Sequence, residues 1–149
     1  IGVGFQRALS GRENIYLSGM LLGFSEEQIR EKIDEIISFA GLGKFIDMPV
    51  QTYSSGMYSK LAFSITAILE TDIMLIDEVL SVGDARFKKK SYKKMKDLIM
   101  DEDRTVIIVS HNSDTIRNLC TSVLWLHEGE VRMMGDTGEV MDAYEEFMQ

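Results

Sequence analysis

The chain has 149 residues, is 45% hydrophobic and carries a formal net charge of −8. That is enough apolar material for one compact domain with a real core, and the acidic balance argues against a general nucleic-acid binder, whose footprint should be basic. A single cysteine, Cys120, forms no internal disulfide, so a reducing compartment is the default and a small buried apolar group is the plain reading of the thiol.

No stretch approaches the ~20 consecutive apolar residues of a membrane span, and Ile1 does not open a basic-then-apolar leader. The chain starts without a methionine, and the expectation is a fragment of a longer protein. Ser10 to Glu13 reads S-G-R-E, close to a capping box, and predicts a helix through Leu22. Ser25 and Gln28 form an S-x-x-Q capping box ahead of a second helix, with Ile29, Ile33, Ile36, Ile37 and Ala40 on one stripe. Gly41 and Gly43 supply its stop signals. Pro49, the only proline, precedes "TYSSGM", and a third helical pattern runs from Met57 to Leu69 with Leu61, Ile65, Ile68 and Leu69 on one side.

The texture then changes. "DIMLIDE" and "RTVIIVSH" are short, continuous apolar runs rich in β-branched residues, as expected for buried parallel strands. A helix is expected between them, from about Ala85 to Met100. "SVLWLHEGEVRMMG" reads as a hairpin around Glu128-Gly129, and "TGEVMDAYEEFMQ" as a last amphipathic helix. In the stretch from Lys88 to Lys96, six lysines crowd one helix whose inner face is expected from Phe87, Met95, Leu98 and Ile99. A solvated outer face is the plain reading of these lysines, and contact with anionic lipid headgroups the sharper one. The ten methionines, Met133 and Met134 among them, read as core and edge filler.

Three segments carry chemistry. "IMLIDE" delivers Asp77 and Glu78 to the carboxyl end of a strand, where open α/β sheets place their ligands. One carboxylate there suits a magnesium ion, usually through water, and the other an attacking water; a strand simply ending in solvated acids is the alternative. The next strand ends at His111 in the same manner, so neighbouring parallel strands would bring these side chains to one rim. The turn "YSSGM" starts a helix, whose amino terminus offers unpaired N–H groups to an anion. Ser54, Ser55 and Gly56 add hydroxyl donors and leave the backbone approachable. A serine-capped helix after a loop explains the serines equally well in isolation.

"YSSGM", "IMLIDE", "SVGD" and "SHN", in this order and at these intervals, resemble the second half of an ABC-type ATPase domain over essentially the whole chain. The spellings "GRENIY", "YSSGM" and "IDEVLSVGD" are similar to those of the ATPase subunits of bacterial exporters of O-antigen, capsule or teichoic acid. The resemblance implies an α/β fold: a helical subdomain, residues 1–69, followed by the C-terminal part of a RecA-like parallel-sheet P-loop ATPase core, residues 70–149. It implies that Tyr53 to Met57 stand where the family has LSGGQ, with Ser55 replacing a glycine and Met57 a glutamine. Ser54, Ser55 and Gly56 would then meet ATP bound by the opposing subunit. Asp77 takes the Walker B position, holding Mg2+ through water, with Glu78 as the catalytic carboxylate and His111 as the switch histidine. Ser81 to Asp84 match the D-loop, through which two such domains communicate, and Asp84 closes it. A head-to-tail homodimer, a separate transmembrane permease and a place on the cytoplasmic face of the bacterial cell membrane follow from the same resemblance, with no nucleic-acid partner. The segment from Ile1 to Gly23 is the expected permease contact.

The sequence contains no G-x-x-x-x-G-K-[ST]. Without it there is no phosphate cradle, so the isolated chain is expected to bind ATP feebly or not at all. Gln6 lies near the family's glutamine loop but falls too late in it to take that role. The rival expectation is a non-hydrolysing dimerisation or regulatory module that retains the signature. A soluble ABC protein of DNA repair or translation is disfavoured by a helical subdomain too short for a coiled coil.

Overall fold

The computed structural model describes residues 4–69, 71–77, 83–101 and 103–148. They form two compact units. The first comprises Ile1–Asp72 with Leu80–Leu98, the second Ile73–Val79 with Ile99–Gln149.

The first unit is helical. Helix α1 (Gly11–Leu21) starts at a complete capping box in which the Ser10 hydroxyl and the Glu13 carboxylate satisfy each other's backbone N–H groups. The same exchange between Ser25 and Gln28 starts α2 (Glu26–Ala40), and Gly41, left-handed at φ 62°, ends it. Helix α3 (Ser55–Ile68) begins two residues earlier than the apolar pattern, because its first turn is the polar Ser-Gly pair. The buried stripe Ile29, Ile33, Ile36 and Ala40 of α2 meets Leu61, Ile65 and Ile68 of α3, and Ile15 joins them from α1. Each such isoleucine or leucine removed from water is worth about 1.5–3 kcal/mol. Close approach of α1 to α2 requires Gly19, where a Cβ would lie 2.6 Å from Ile29 Cδ1. Helix α4 (Ala85–Ile99) buries Phe87, Met95 and Leu98 as the lysine spacing implies. Phe87 meets Phe39 and Phe63 edge-on, with centroids 5.7 and 5.9 Å away.

Asn14 is the polar pin of this unit. Fully buried, it accepts from the Gln6 N–H at 2.7 Å and shares its own amide hydrogens among the carbonyls of Gln6, Leu9 and Ser10 at 2.8 to 3.2 Å. Four backbone groups of the segment leading into α1 therefore depend on one side chain.

The second unit holds the strands. β1 (Ile73–Asp77) and β2 (Thr105–Val109) pair in parallel, with Ile73 opposite Thr105 and Asp77 opposite Val109. Continuous apolar runs imply burial on both faces, but only Met74 and Ile76 of β1 are buried. Ile73, Leu75, Ile107 and Val109 share the other face and are 51–75% exposed, so no described element covers that side. Helix α5 (Ser113–Leu119) follows β2. β3 (Ser122–His127) and β4 (Glu130–Asp136) form the expected hairpin, turning through Glu128 and Gly129, both at positive φ as a two-residue primed turn demands. Helix α6 (Thr137–Phe147) is tied to α5 by Arg117, which donates to Asp142 at 2.6 Å and to Glu145 at 3.0 Å. Those two carboxylates, Glu145 foremost, push the guanidinium's pKa further up. Trp125 of β3 packs against Tyr144 and Phe147 of α6, and Arg132 lies over the rings of Trp125 and Phe147 at 4.8 and 3.9 Å.

Replacing Asn14 by alanine removes four part-buried hydrogen bonds to the backbone and is expected to destabilise the first unit by about 1–3 kcal/mol. Urea unfolding followed by far-ultraviolet circular dichroism on the full-length protein measures this; an unchanged midpoint would refute the pinning role.

Candidate functional site

In the first unit, the turn at 53–57 is held from behind. Tyr53 donates its hydroxyl to the Phe45 carbonyl at 2.6 Å, and its partial burial pushes the phenol pKa up. Gly11 leaves room for that hydroxyl, since a Cβ there would come within 2.3 Å of it. Ser54 is the N-cap of α3: its Oγ accepts from the Met57 N–H at 3.3 Å and its carbonyl from the Tyr58 N–H at 3.0 Å. Capping uses a lone pair of Oγ, so the hydroxyl proton of Ser54 remains a donor. Ser54 and Ser55 are exposed. A Cβ at Gly56 would meet nothing nearer than Ser54 Oγ at 3.9 Å, so an anion has open access to the backbone there. No acidic residue occupies the first turn of α3 to neutralise its partial positive charge.

Asp84 ends the second stretch of this unit's interest. Its Oδ1 accepts from the Phe87 N–H at 2.9 Å, and its carbonyl from the Lys88 N–H at 2.8 Å, which makes it the cap of α4. Its Oδ2 pairs with Lys60 of α3. The Lys60 bond first, and the Phe87 N–H second, pull the Asp84 carboxyl down to a pKa of about 2. Lys60 was not singled out by the sequence reading. Its signal was available, because it is the only charged residue in α3.

In the second unit, the in-register pairing of β1 with β2 brings Asp77 and the segment ending at His111 to one end of the strand pair. Asp77 and His111 are both exposed. Beyond His111 the chain is fixed by Asn112, whose Oδ1 accepts from the Thr115 N–H at 2.9 Å to cap α5, while its own N–H donates to Ser110 Oγ at 3.0 Å. Glu78 and Ser81 lie outside the described residues. The other histidine, His127, stands edge-on to Phe147 with centroids 5.0 Å apart and serves packing.

The comparisons with known proteins fall on this arrangement. No family model matches the chain. The teichoic acids export ATP-binding protein TagH of Lactococcus lactis subsp. lactis (strain IL1403) is 51% identical over 98% of the chain, which covers 31% of that protein. The O-antigen export system ATP-binding protein RfbB of Myxococcus xanthus is 44% identical over 98% of the chain, covering 33% of that protein. A solved structure of the ATP binding subunit of an ABC transporter superimposes with a TM-score of 0.75 at 19% identity, over 95% of the chain and 58% of its own length.

In sequence and fold, the chain is similar to ABC-type ATP-binding proteins over nearly its whole length. The match to the exporter proteins runs through every motif from "GRENIY" to "SHN", since it covers 98% of the chain. The chain spans about a third of the length of these two relatives.

The depressed Asp84 carboxyl has a consequence for acid stability. A carboxyl at about 2 in the folded state, against an ordinary 3.8, contributes stability that is complete above pH 4 and lost as pH falls towards 2. Asp84→Asn is therefore expected to flatten the pH dependence of the unfolding midpoint between pH 4 and 2 and to leave its shape between pH 5 and 7 unchanged. An equally steep acid limb in the variant would show that Asp84 is not the group responsible.

Proposed function

We propose that the chain is the signature and hydrolysis portion of the ATP-hydrolysing subunit of an ABC exporter that moves a cell-surface polysaccharide across the cytoplasmic membrane. The observation that carries this reading is the 51% identity, over 98% of the chain, to a teichoic acids export ATP-binding protein. In this reading residues 1–69 are the helical subdomain and residues 70–149 the C-terminal part of the ATPase core. The exposed face of Ile73, Leu75, Ile107 and Val109 supports the second part, as a parallel sheet is ordinarily covered on both sides.

The residues present suit ATP and Mg2+. Ser54, Ser55 and Gly56 offer a hydroxyl proton, open backbone and an unneutralised helix end to the γ-phosphate of ATP held by an opposing copy. Asp77 offers an exposed carboxylate at a strand end. Among the described residues no group of three or more metal-ligating side chains occurs, so Mg2+ at Asp77 would take its remaining ligands from water and phosphate. When bound, Mg2+ supplies charge neutralisation of the phosphates. Glu78 orients the attacking water and accepts its proton, and His111 donates to the terminal phosphate and holds it against that water. Asp84 closes the D-loop between two copies arranged head to tail.

Among the described residues no helix is long and apolar enough to cross a membrane. In this reading the transport path belongs to a separate membrane-spanning partner that the 1–23 segment contacts on the cytoplasmic face. The second reading is a non-hydrolysing module that dimerises or regulates while retaining the 53–57 turn.

In the full-length protein, Glu78→Gln is expected to lower ATP turnover by ~10²–10⁴-fold while ATP binding persists. Steady-state hydrolysis with parallel equilibrium binding measures both, and near-normal turnover would remove Glu78 from the mechanism. A full-length wild-type protein that neither binds nor hydrolyses ATP would establish the second reading instead.

A further inference from the structure

Lys60 and Asp84 lie 24 positions apart, one within the helix of the signature turn and the other at the end of the D-loop match. Lys60 sits one helical turn after Gly56, and its side chain is only 20% exposed despite its charge. Three features shape a seat for it. Gly83 is left-handed at φ 77°, and a Cβ there would lie 3.1 Å from Lys60 Cε and 3.2 Å from Cγ, so the lysine stem runs against bare backbone. The Phe87 ring receives the ammonium at 5.6 Å from its centroid. The Asp84 carboxylate is divided, with Oδ1 committed to the Phe87 N–H and Oδ2 to Lys60, so the capping bond orients the acid towards the lysine. A lysine on a merely solvated face would have none of these.

We propose that Lys60 is a positioning residue: its ion pair with Asp84 latches the end of the D-loop to the signature helix, so that the two segments move together. The proposal rests on the reading in which Ser54 to Gly56 face ATP on an opposing copy. Under that reading, engagement of the signature turn by the phosphate is transmitted through α3 and Lys60 to Asp84, and so to the chain that follows Asp77. Lys60 touches no reacting atom. It sets where a segment that does communicate between copies is held, and small misplacements of such segments carry large kinetic penalties.

Two measurements on the full-length protein separate the latch from the functional reading. The first is amide hydrogen exchange at Phe87 and Lys88, whose N–H groups are bonded to Asp84. Lys60→Met should speed this exchange about fivefold, as expected for a pair of this exposure, and Lys60→Arg should restore it. Exchange unchanged in Lys60→Met would overturn the latch. The second is ATP hydrolysis, where Lys60→Met should lower kcat about tenfold with KM for ATP within about twofold, and Lys60→Arg should recover most of the rate. A kcat unaffected in a variant whose exchange has risen would overturn the coupling. Wild-type protein without ATP hydrolysis would overturn the functional reading, with the exchange data still deciding whether the latch exists.

Discussion

Everything that the first unit presents to its surroundings depends on the packing of α2 against α3. The stripe of Ile29, Ile33 and Ile36 fixes the axis of α3 through Leu61, Ile65 and Ile68, and an α3 so fixed leaves its amino-terminal turn little freedom. Serine and glycine at 54–56 contribute almost nothing to burial. They are affordable there because the cost of ordering the turn is met further along the helix, where apolar side chains leave water. The ends of the turn are then pinned by hydrogen bonds, Tyr53 to Phe45 on one side and Met57 to Ser54 on the other. A donor-rich surface is thus carried by a dry interior.

Most of the first unit was legible because its signals are local. Capping boxes at Ser10 and Ser25, the left-handed stop at Gly41 and the isoleucine spacing of α2 each involve residues within two turns of one another. The hairpin was legible for the same reason, since Glu128 and Gly129 are adjacent. What the sequence concealed is long-range. The pairing of Lys60 with Asp84 spans 24 positions, and Arg117 reaches Asp142 and Glu145 across 25 and 28. Leu75 is exposed although its apolar run implies burial, because such a run states that a strand could be packed against something without stating what lies there. The candidate site was legible only through motif order. Asp77 and His111 are exposed polar side chains without a composition or period to mark them, and the parallel register of β1 and β2 is what relates them.

Polar groups inside both units are held to the same rule. Among the described residues no buried side-chain nitrogen or oxygen lacks a partner. Asn14, with four bonds to backbone, and Ser64, which donates to the Lys60 carbonyl at 2.6 Å, show how that is reached. Satisfying backbone groups of neighbouring segments with one amide costs nothing in packing and fixes the relative path of those segments, a specificity that apolar contacts alone do not confer.

Trp125 is the only tryptophan in the chain, and it lies in the second unit between Tyr144, Phe147 and the guanidinium of Arg132. Its emission is therefore a native optical probe with a restricted field of view. Excited at the red edge, where tyrosine is silent, it reports loosening of α6 from the β3–β4 hairpin, and says nothing directly about the helices that carry Ser54 to Gly56. An unfolding curve traced by this fluorophore and one traced by helical dichroism will coincide only if the two units melt as one. Their separation along the denaturant axis would read out how far the unit that carries Ser54 to Gly56 is independent of the unit that carries Asp77 and His111.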